Sequence, residues 1–298
     1  MHSFLHVSVA AYVGVQEVAA PSGGGGFVSL NEPMRECPSA VAADVPMPLL
    51  NRSLERGVAV LECFRPGGGL LTHRDIAERT GLSKPTVTRL LATLRDQGYL
   101  IFDERRHGYH LGVPVLSLAR ALMLDSELRE CVSQPLVRIA RDTHSIIGFG
   151  TAHDMDIVYL EAFNGDPARV ARQVGPGMRA PIVSTSVGRG WLAGLPPAER
   201  ARAMARLRAV PTHWRPGVGD EIARSLREVA ERKFCLVLRS EGRHAAIGAP
   251  VRVRGGPLYA LSIGYLTFPD KDPREVPKHM VDALHELVGC AEQFGSSV

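Results

Sequence analysis

The chain lacks paired cysteines. Its five, Cys37, Cys63, Cys131, Cys235 and Cys290, are scattered singly through 298 residues with no CxxC step. That excludes a zinc ribbon and a disulfide framework. The lone spacing reads as reduced thiols in a cytoplasmic protein, with a redox pair assembled by folding as the alternative. No run approaches about 18 uncharged apolar residues, so a transmembrane helix is not expected. Catalytic signatures are missing as well. There is no GxSxG, no HExxH and no phosphate-binding loop, and Gly148-Phe149-Gly150 is a loose glycine pair without the dinucleotide fingerprint. His279 and His285 are six apart and do not share a helix face as metal ligands would, and His107 and His110 straddle a hairpin. Cys235 stands in an apolar strand without a motif and reads as a buried thiol rather than a nucleophile. An enzyme, a metal and a cofactor are therefore not expected.

What is present points to a folded protein. Apolar residues make up 45% and charged residues 22%, which fits a globular chain and not a disordered one. The length is comfortable for two domains. The net charge of +4 is unevenly spread. Residues 51–112 carry ten Lys/Arg against seven Asp/Glu, whereas residues 1–50 carry Arg35 against four acidic groups. The module after residue 51 is thus basic for its size, which is compatible with a nucleic-acid partner. Residues 1–51 read as a poorly ordered extension, with the Gly23–Gly26 run and no positively charged secretory start. Synthesis from Met34 or Met47 is a further expectation.

From Ser53 the spacing is helical, with Leu54, Val58, Leu61 and Phe64 on one stripe and Ser53 as the expected cap. Pro66 to Gly69 ends it. Thr72-His73-Arg74-Asp75 has the form of a capping box opening a second helix, which stops at Thr80-Gly81. Ser83 is then expected to cap a third helix, with Pro85 in its first turn and Val87, Leu90, Leu91 and Leu94 as its buried stripe. Tyr99 to Phe102 and Gly108 to Leu111 read as two strands around a charged turn. Helix, short turn, helix and basic hairpin make a winged helix-turn-helix. A helix fits the major groove and projects short polar side chains at base edges, while a cationic hairpin reaches phosphates or the minor groove. The expected DNA-contacting residues are Thr72, Ser83, Lys84, Pro85, Thr86, Thr88 and Arg89 from the helices, with Arg105, Arg106, His107 and Tyr109 from the wing. A three-helix module used for protein interaction, or appended to an enzyme or metabolite sensor, is the rival reading.

The string Leu71 to Leu94, with Gly98-Tyr99 and then Gly108-Tyr109-His110-Leu111-Gly112, resembles the N-terminal domain of IclR-type transcriptional regulators. The resemblance runs from about Ser53 to the C-terminus, and the later half is most similar to the branch regulating breakdown of aromatic acids. Val115, Leu118, Ala119 and Leu122 sit at helical spacing after Pro114, with Leu116, Met123 and Leu124 on further faces. More apolar surface is present than one docking face needs, so dimer contacts are the natural use. Beyond it, strands are expected over Ser145–Thr151, Ile157–Ala162, Arg169–Val174, Phe234–Leu238, Ala245–Val253 and Leu258–Thr267. Helices are expected over Val187–Leu195, Pro197–Val210 and Glu221–Lys233, with a last one carrying Met280, Leu284, Leu287, Val288 and Ala291.

The fold class is α+β: a winged helix-turn-helix over 52–112, a linker helix over 113–127 and an effector-binding domain over 128–298. The resemblance implies that this last domain is a GAF-like antiparallel sheet. Ser184, Thr185, Ser186 and Gly188 run into a helix start, where hydroxyls and amides can hold a carboxylate; plain helix capping by Ser184 or Ser186 is the alternative. The resemblance adds Arg239, Ser262 and Gly264 as pocket positions, Gly264 departing from the serine usual there. Trp191 and Tyr265 either flank a ring or pack the core, with core favoured. The expected partners are double-stranded operator DNA, a small organic acid and a second copy of the chain, as a dimer or the dimer of dimers that the family implies.

Overall fold

The computed structural model describes residues 50–124, 126–166, 174–211, 214–239, 242–253, 256–267 and 272–294. The extension up to residue 49 and nearly all of the strand expected over 169–174 lie outside these residues.

Three helices and a hairpin come first: α1 (Arg52–Glu62), α2 (His73–Thr80), α3 (Lys84–Asp96), β1 (Leu100–Asp103) and β2 (Gly108–Leu111). The cap of α1 is Asn51, not Ser53: its Oδ1 accepts from the amides of Ser53 at 3.0 Å and Leu54 at 3.2 Å. The capping box of α2 forms as expected. Asp75 N donates to Thr72 Oγ1 at 3.2 Å, and Thr72 N donates to Asp75 Oδ2 at 2.8 Å. Gly81 closes α2 at φ 67, a backbone that a side chain would resist. Val60, Cys63, Leu71, Ile76, Val87, Leu91 and Leu100 form one buried core. Leu71 and Tyr109 exchange backbone hydrogen bonds of 3.0 and 2.7 Å, which ties the approach to α2 onto the hairpin.

Two helices follow, α4 (Pro114–Leu124) and α5 (Glu127–Asp142). No residue of α4 is buried within its own chain. Its last turn is nevertheless held. Arg129 donates to the carbonyl of Met123 at 3.1 Å and pairs with Glu161 of the sheet at 2.5 Å.

Among the described residues, the larger part is a six-stranded antiparallel sheet built from β3 (Ile146–His153), β4 (Asp156–Asn164), β5 (Arg179–Pro181), β6 (Cys235–Arg239), β7 (His244–Arg252) and β8 (Leu258–Leu266). Their order is β5-β4-β3-β8-β7-β6. The remaining helices are α6 (Ser186–Gly194), α7 (Pro197–Arg208), α8 (Val218–Arg232) and α9 (Lys278–Phe294). Alternation along the strands sorts the side chains by size. Ile147, Phe149, Ile247, Val251, Leu261 and Ile263 pack against α5 and α9. Their neighbours Gly148, Gly150, Ala246, Gly248, Ala260, Ser262 and Gly264 turn to the side of α6, where small residues let that helix lie close. Burying a large apolar side chain contributes roughly 1.5–3 kcal/mol, and the α6 side has a core of its own, in which Ile157, Ile182, Val187, Leu192, Leu207 and Ile222 are buried.

Candidate functional site

The start of α3 is exposed. Lys84, Pro85, Thr88 and Arg89 face solvent, and Thr86 is half-buried. Ser83 stands at the cap position but gives no side-chain bond to an amide; its hydroxyl is 2.9 Å from that of Thr86. The expected cap is therefore absent, and the first-turn amides of α3 remain available to an outside acceptor. Thr88 is less free than its position suggests. Its hydroxyl donates to the carbonyl of Lys84 at 3.0 Å and lies 2.9 Å from His73 Nε2. Thr72 is engaged too, its hydroxyl donating to Asp75 at 2.7 Å. The Thr88–His73 contact joins α2 to α3, and His73 is a polar group on this face that spacing alone did not single out.

The wing is shaped by Asp103, whose Oδ1 accepts from the amides of Arg105 at 2.9 Å and Arg106 at 3.0 Å. His107 turns the chain at φ 47. Arg105, Arg106 and His107 are exposed, whereas Tyr109 is half-buried. Tyr109 packs tilted against Phe102 with ring centroids 4.9 Å apart, and the Arg95 guanidinium sits 5.5 Å from the Phe102 ring. Helix α3 is thereby braced against the wing, and Tyr109 serves that brace.

The second cluster lies on the α6 side of the sheet. A side chain at Gly148 would overlap the ring of Tyr159, so the glycine admits that ring to the sheet surface. The Tyr159 hydroxyl is hydrogen-bonded with Ser262. Burial pushes its phenol up, while the Ser262 hydrogen bond and the Arg239 charge pull it back. Arg239 in turn donates to Ser184, to the carbonyl at 2.9 Å and the hydroxyl at 3.4 Å. A Cβ on Gly264 would meet ordinary contacts alone, so this strip of floor has space above it. Ser184, Arg239, Ser262 and Gly264 are thus brought together with Tyr159, which was not expected.

Other candidates serve the helix. Thr185 caps α6, its Oγ1 accepting from Gly188 N at 3.2 Å and donating to Pro181 O at 2.6 Å. Gly188 lies against the Ile182 backbone, and Ser186 is buried. Capping thus falls to Thr185 rather than to Ser184 or Ser186. Tyr265 faces the α5/α9 core, and Trp191 donates to Leu258 O at 3.1 Å, so neither flanks this cluster as a free ring. Cys235 is buried, with its thiol pushed up to about 12 by desolvation, and donates to Ser186 O and Gly248 O. A thiol held that way is not a nucleophile at neutral pH.

Comparison with known proteins covers both parts of the chain. The IclR helix-turn-helix domain model matches residues 53–104. The Pca regulon regulatory protein of Pseudomonas putida is 26% identical over 250 residues, 80% of this chain and 84% of that one. The crystal structure of an IclR family transcriptional regulator from Brucella abortus superposes with a TM-score of 0.71 at 26% identity, over 83% of this chain and 93% of that one. An IclR homolog from Microbacterium hydrocarbonoxydans, complexed with 4-hydroxybenzoate, shares the fold at a TM-score of 0.63 and 20% identity, over 83% of this chain and all of that one.

The capping box carries a pH signature. The Thr72 amide and hydroxyl hold the Asp75 carboxyl below its ordinary value. A depressed carboxyl stabilises above its unfolded pKa, about 3.9, and that contribution is lost as pH falls through the lower folded value. Amide exchange in α2 should therefore be faster in Asp75→Asn than in the unaltered chain at pH 6. The gap should narrow steadily below about pH 4.

Proposed function

We propose, for a chain that belongs to the IclR family of transcriptional regulators, that α3 and the wing grip operator DNA and that a small organic acid held in the C-terminal domain sets how tightly. The observation that carries the first half is the exposed cationic set on a braced module: Lys84 and Arg89 on the helix, Arg105, Arg106 and His107 on the wing. In this reading α3 lies in the major groove and the wing arginines neutralise phosphates. The second half rests on Arg239, Ser184, Ser262 and Tyr159. A guanidinium and two hydroxyls can hold a carboxylate, and the Tyr159 ring gives an aromatic acid a wall to stack on. The 4-hydroxybenzoate bound by a relative of the same fold makes aromatic acids the first class to screen.

A second copy completes the DNA reader. Leu116, Leu118, Leu122 and Leu124 of α4 are 60–70% exposed, and Leu54 of α1 is 66% exposed. Contiguous apolar side chains of this kind mark an interface. A two-fold dimer through α4 would present two recognition helices to a palindromic site. The acid would favour one dimer arrangement, and a coupling of about 1–3 kcal/mol would give a 5–150-fold change in operator affinity. The working place is the cytoplasm, with the DNA domain over 52–112, the linker over 113–127 and the sensor over 128–298.

Three measurements test this. Arg89→Ala should weaken binding to a duplex selected from a random pool by about 1–3 kcal/mol at fixed salt; a gel shift with unchanged affinity removes Arg89 from the interface. The double substitution Leu118→Arg, Leu122→Arg should sediment as a monomer where the unaltered chain is a dimer. In a thermal-shift screen of benzoates and short aliphatic acids, an acid that raises the midpoint of the unaltered chain should lose that effect with Arg239→Gln.

A further inference from the structure

The turn between β3 and β4 gathers charged groups from both halves of the chain. His153 Nε2 lies 2.8 Å from Glu62 Oε1 at the end of α1. Asp154 pairs with Arg206 of α7 at 3.4 Å. Asp156 is buried, and its Oδ2 accepts from two guanidinium groups at once. Arg65, just beyond α1, donates from 3.0 Å, and Arg179 of β5 donates from 2.9 Å. Arg179 also donates to the carbonyl of His153 at 3.3 Å.

The same turn is bonded to the loop that leads into α6. Ile182 N donates to Met155 O at 3.1 Å. Val183 O accepts from the buried Arg189 at 2.9 Å, and Ser184 accepts from Arg239. Strand β5 is three residues long and reaches this loop directly, paired so that Pro181 lies opposite Asp156 and Arg179 opposite Val158. A ligand that drew Arg239 or Ser184 to itself would pull on Ile182 and on β5, and so on Arg179. Arg179 and Arg65 share one oxygen, so a shift of one alters the hold on the other.

We propose that residues 153–156 form an intrachain relay by which the Ser184–Arg239 site is read at α1 of the DNA-binding domain, with Asp156 and Arg65 as positioning residues. This rests on the reading that Ser184 and Arg239 hold the effector. The relay acts within one chain and is distinct from the change of dimer arrangement. A local docking role makes a different prediction. Asp156 stays neutralised by Arg179 when Arg65 is removed, so a mere surface tie would loosen α1 and leave the loop at 182–185 untouched.

Coupling between sites is reciprocal, so the relay can be tested from the DNA-domain end without any ligand. Hydrogen exchange is measured on the full chain and on Arg65→Ala and Arg65→Lys. The amides of residues 182–185 should exchange at least about fivefold faster in Arg65→Ala, and Arg65→Lys should bring them back most of the way. Glu62→Ala, which cuts the exposed neighbouring pair and spares Asp156, should give the same pattern at roughly twofold and covers the case of an Arg65→Ala chain that does not fold. Changes confined to α1 and the turn itself would overturn the relay. In a parallel arm, affinity for a duplex selected from a random pool by the unaltered chain should shift about fivefold or more in Arg65→Ala. Failure to select any duplex would defeat the DNA reading, while the exchange data still decide the relay.

Discussion

The sheet has room for the Tyr159–Ser262–Arg239 cluster because its two faces are lined unequally. Along β3, β7 and β8, large branched and aromatic side chains fill one face, and glycine, alanine and serine on the other let α6 approach, bringing buried apolar residues of its own such as Val187 and Leu192. A strand cannot place two successive side chains on the same face, so this division is imposed residue by residue along β3, β7 and β8. Its consequence is that α6 can approach the backbone closely. Ser262 and Gly264 then stand at the edge of that contact, where the floor is open and Arg239 and Ser184 close one side.

The N-terminal domain solves a different problem with small means. Its core is seven buried residues, so orientation must come from directional contacts at the periphery. The His73–Thr88 contact joins α2 to α3 and the Arg95–Phe102–Tyr109 cluster joins α3 to the wing, while the capping box fixes the start of α2. Some of the polar side chains at this surface also make contacts within the chain. Thr72, Thr88 and Tyr109 are engaged in this way, whereas Lys84, Arg89, Arg105 and Arg106 are exposed, as a screened, salt-dependent attraction requires.

Local rules made much of this legible. The capping box, the glycine stop and the apolar stripes placed α2 and α3 to within a residue, because each depends on neighbours in the chain. The long strands and the late helices were legible for the same reason. Three features were not. Strand β5 has three residues, one of them proline, too few to show a period. Tyr159 was missed because the β4 register shifts at Phe149/Gly150, so counting by twos along β4 fails between Tyr159 and Glu161. The Gly148–Gly150 pair was the available signal, since a glycine within a strand marks a close approach. Asp156 and Arg65 are 91 residues apart, and no periodicity reports a contact at that separation.

The charge at Asp156 has to be explained by something other than stability. Removing the Asp156 carboxylate from water costs several kcal/mol, and a well-packed apolar group would serve cohesion as well or better. Exposed pairs such as Arg74–Glu78 and Lys278–Asp282 carry little cost and contribute little. What a buried, shared oxygen adds is direction. Two donors from different elements must both keep hydrogen-bond geometry to one atom, so neither can slide as apolar neighbours can. Low exposure at Asp156 also shields the contact from salt, whereas Arg89, Arg105 and Arg106 stand in open water. A regulator whose grip on DNA weakens with ionic strength can therefore keep its internal geometry over the same range, and that separation follows from where the charges are buried.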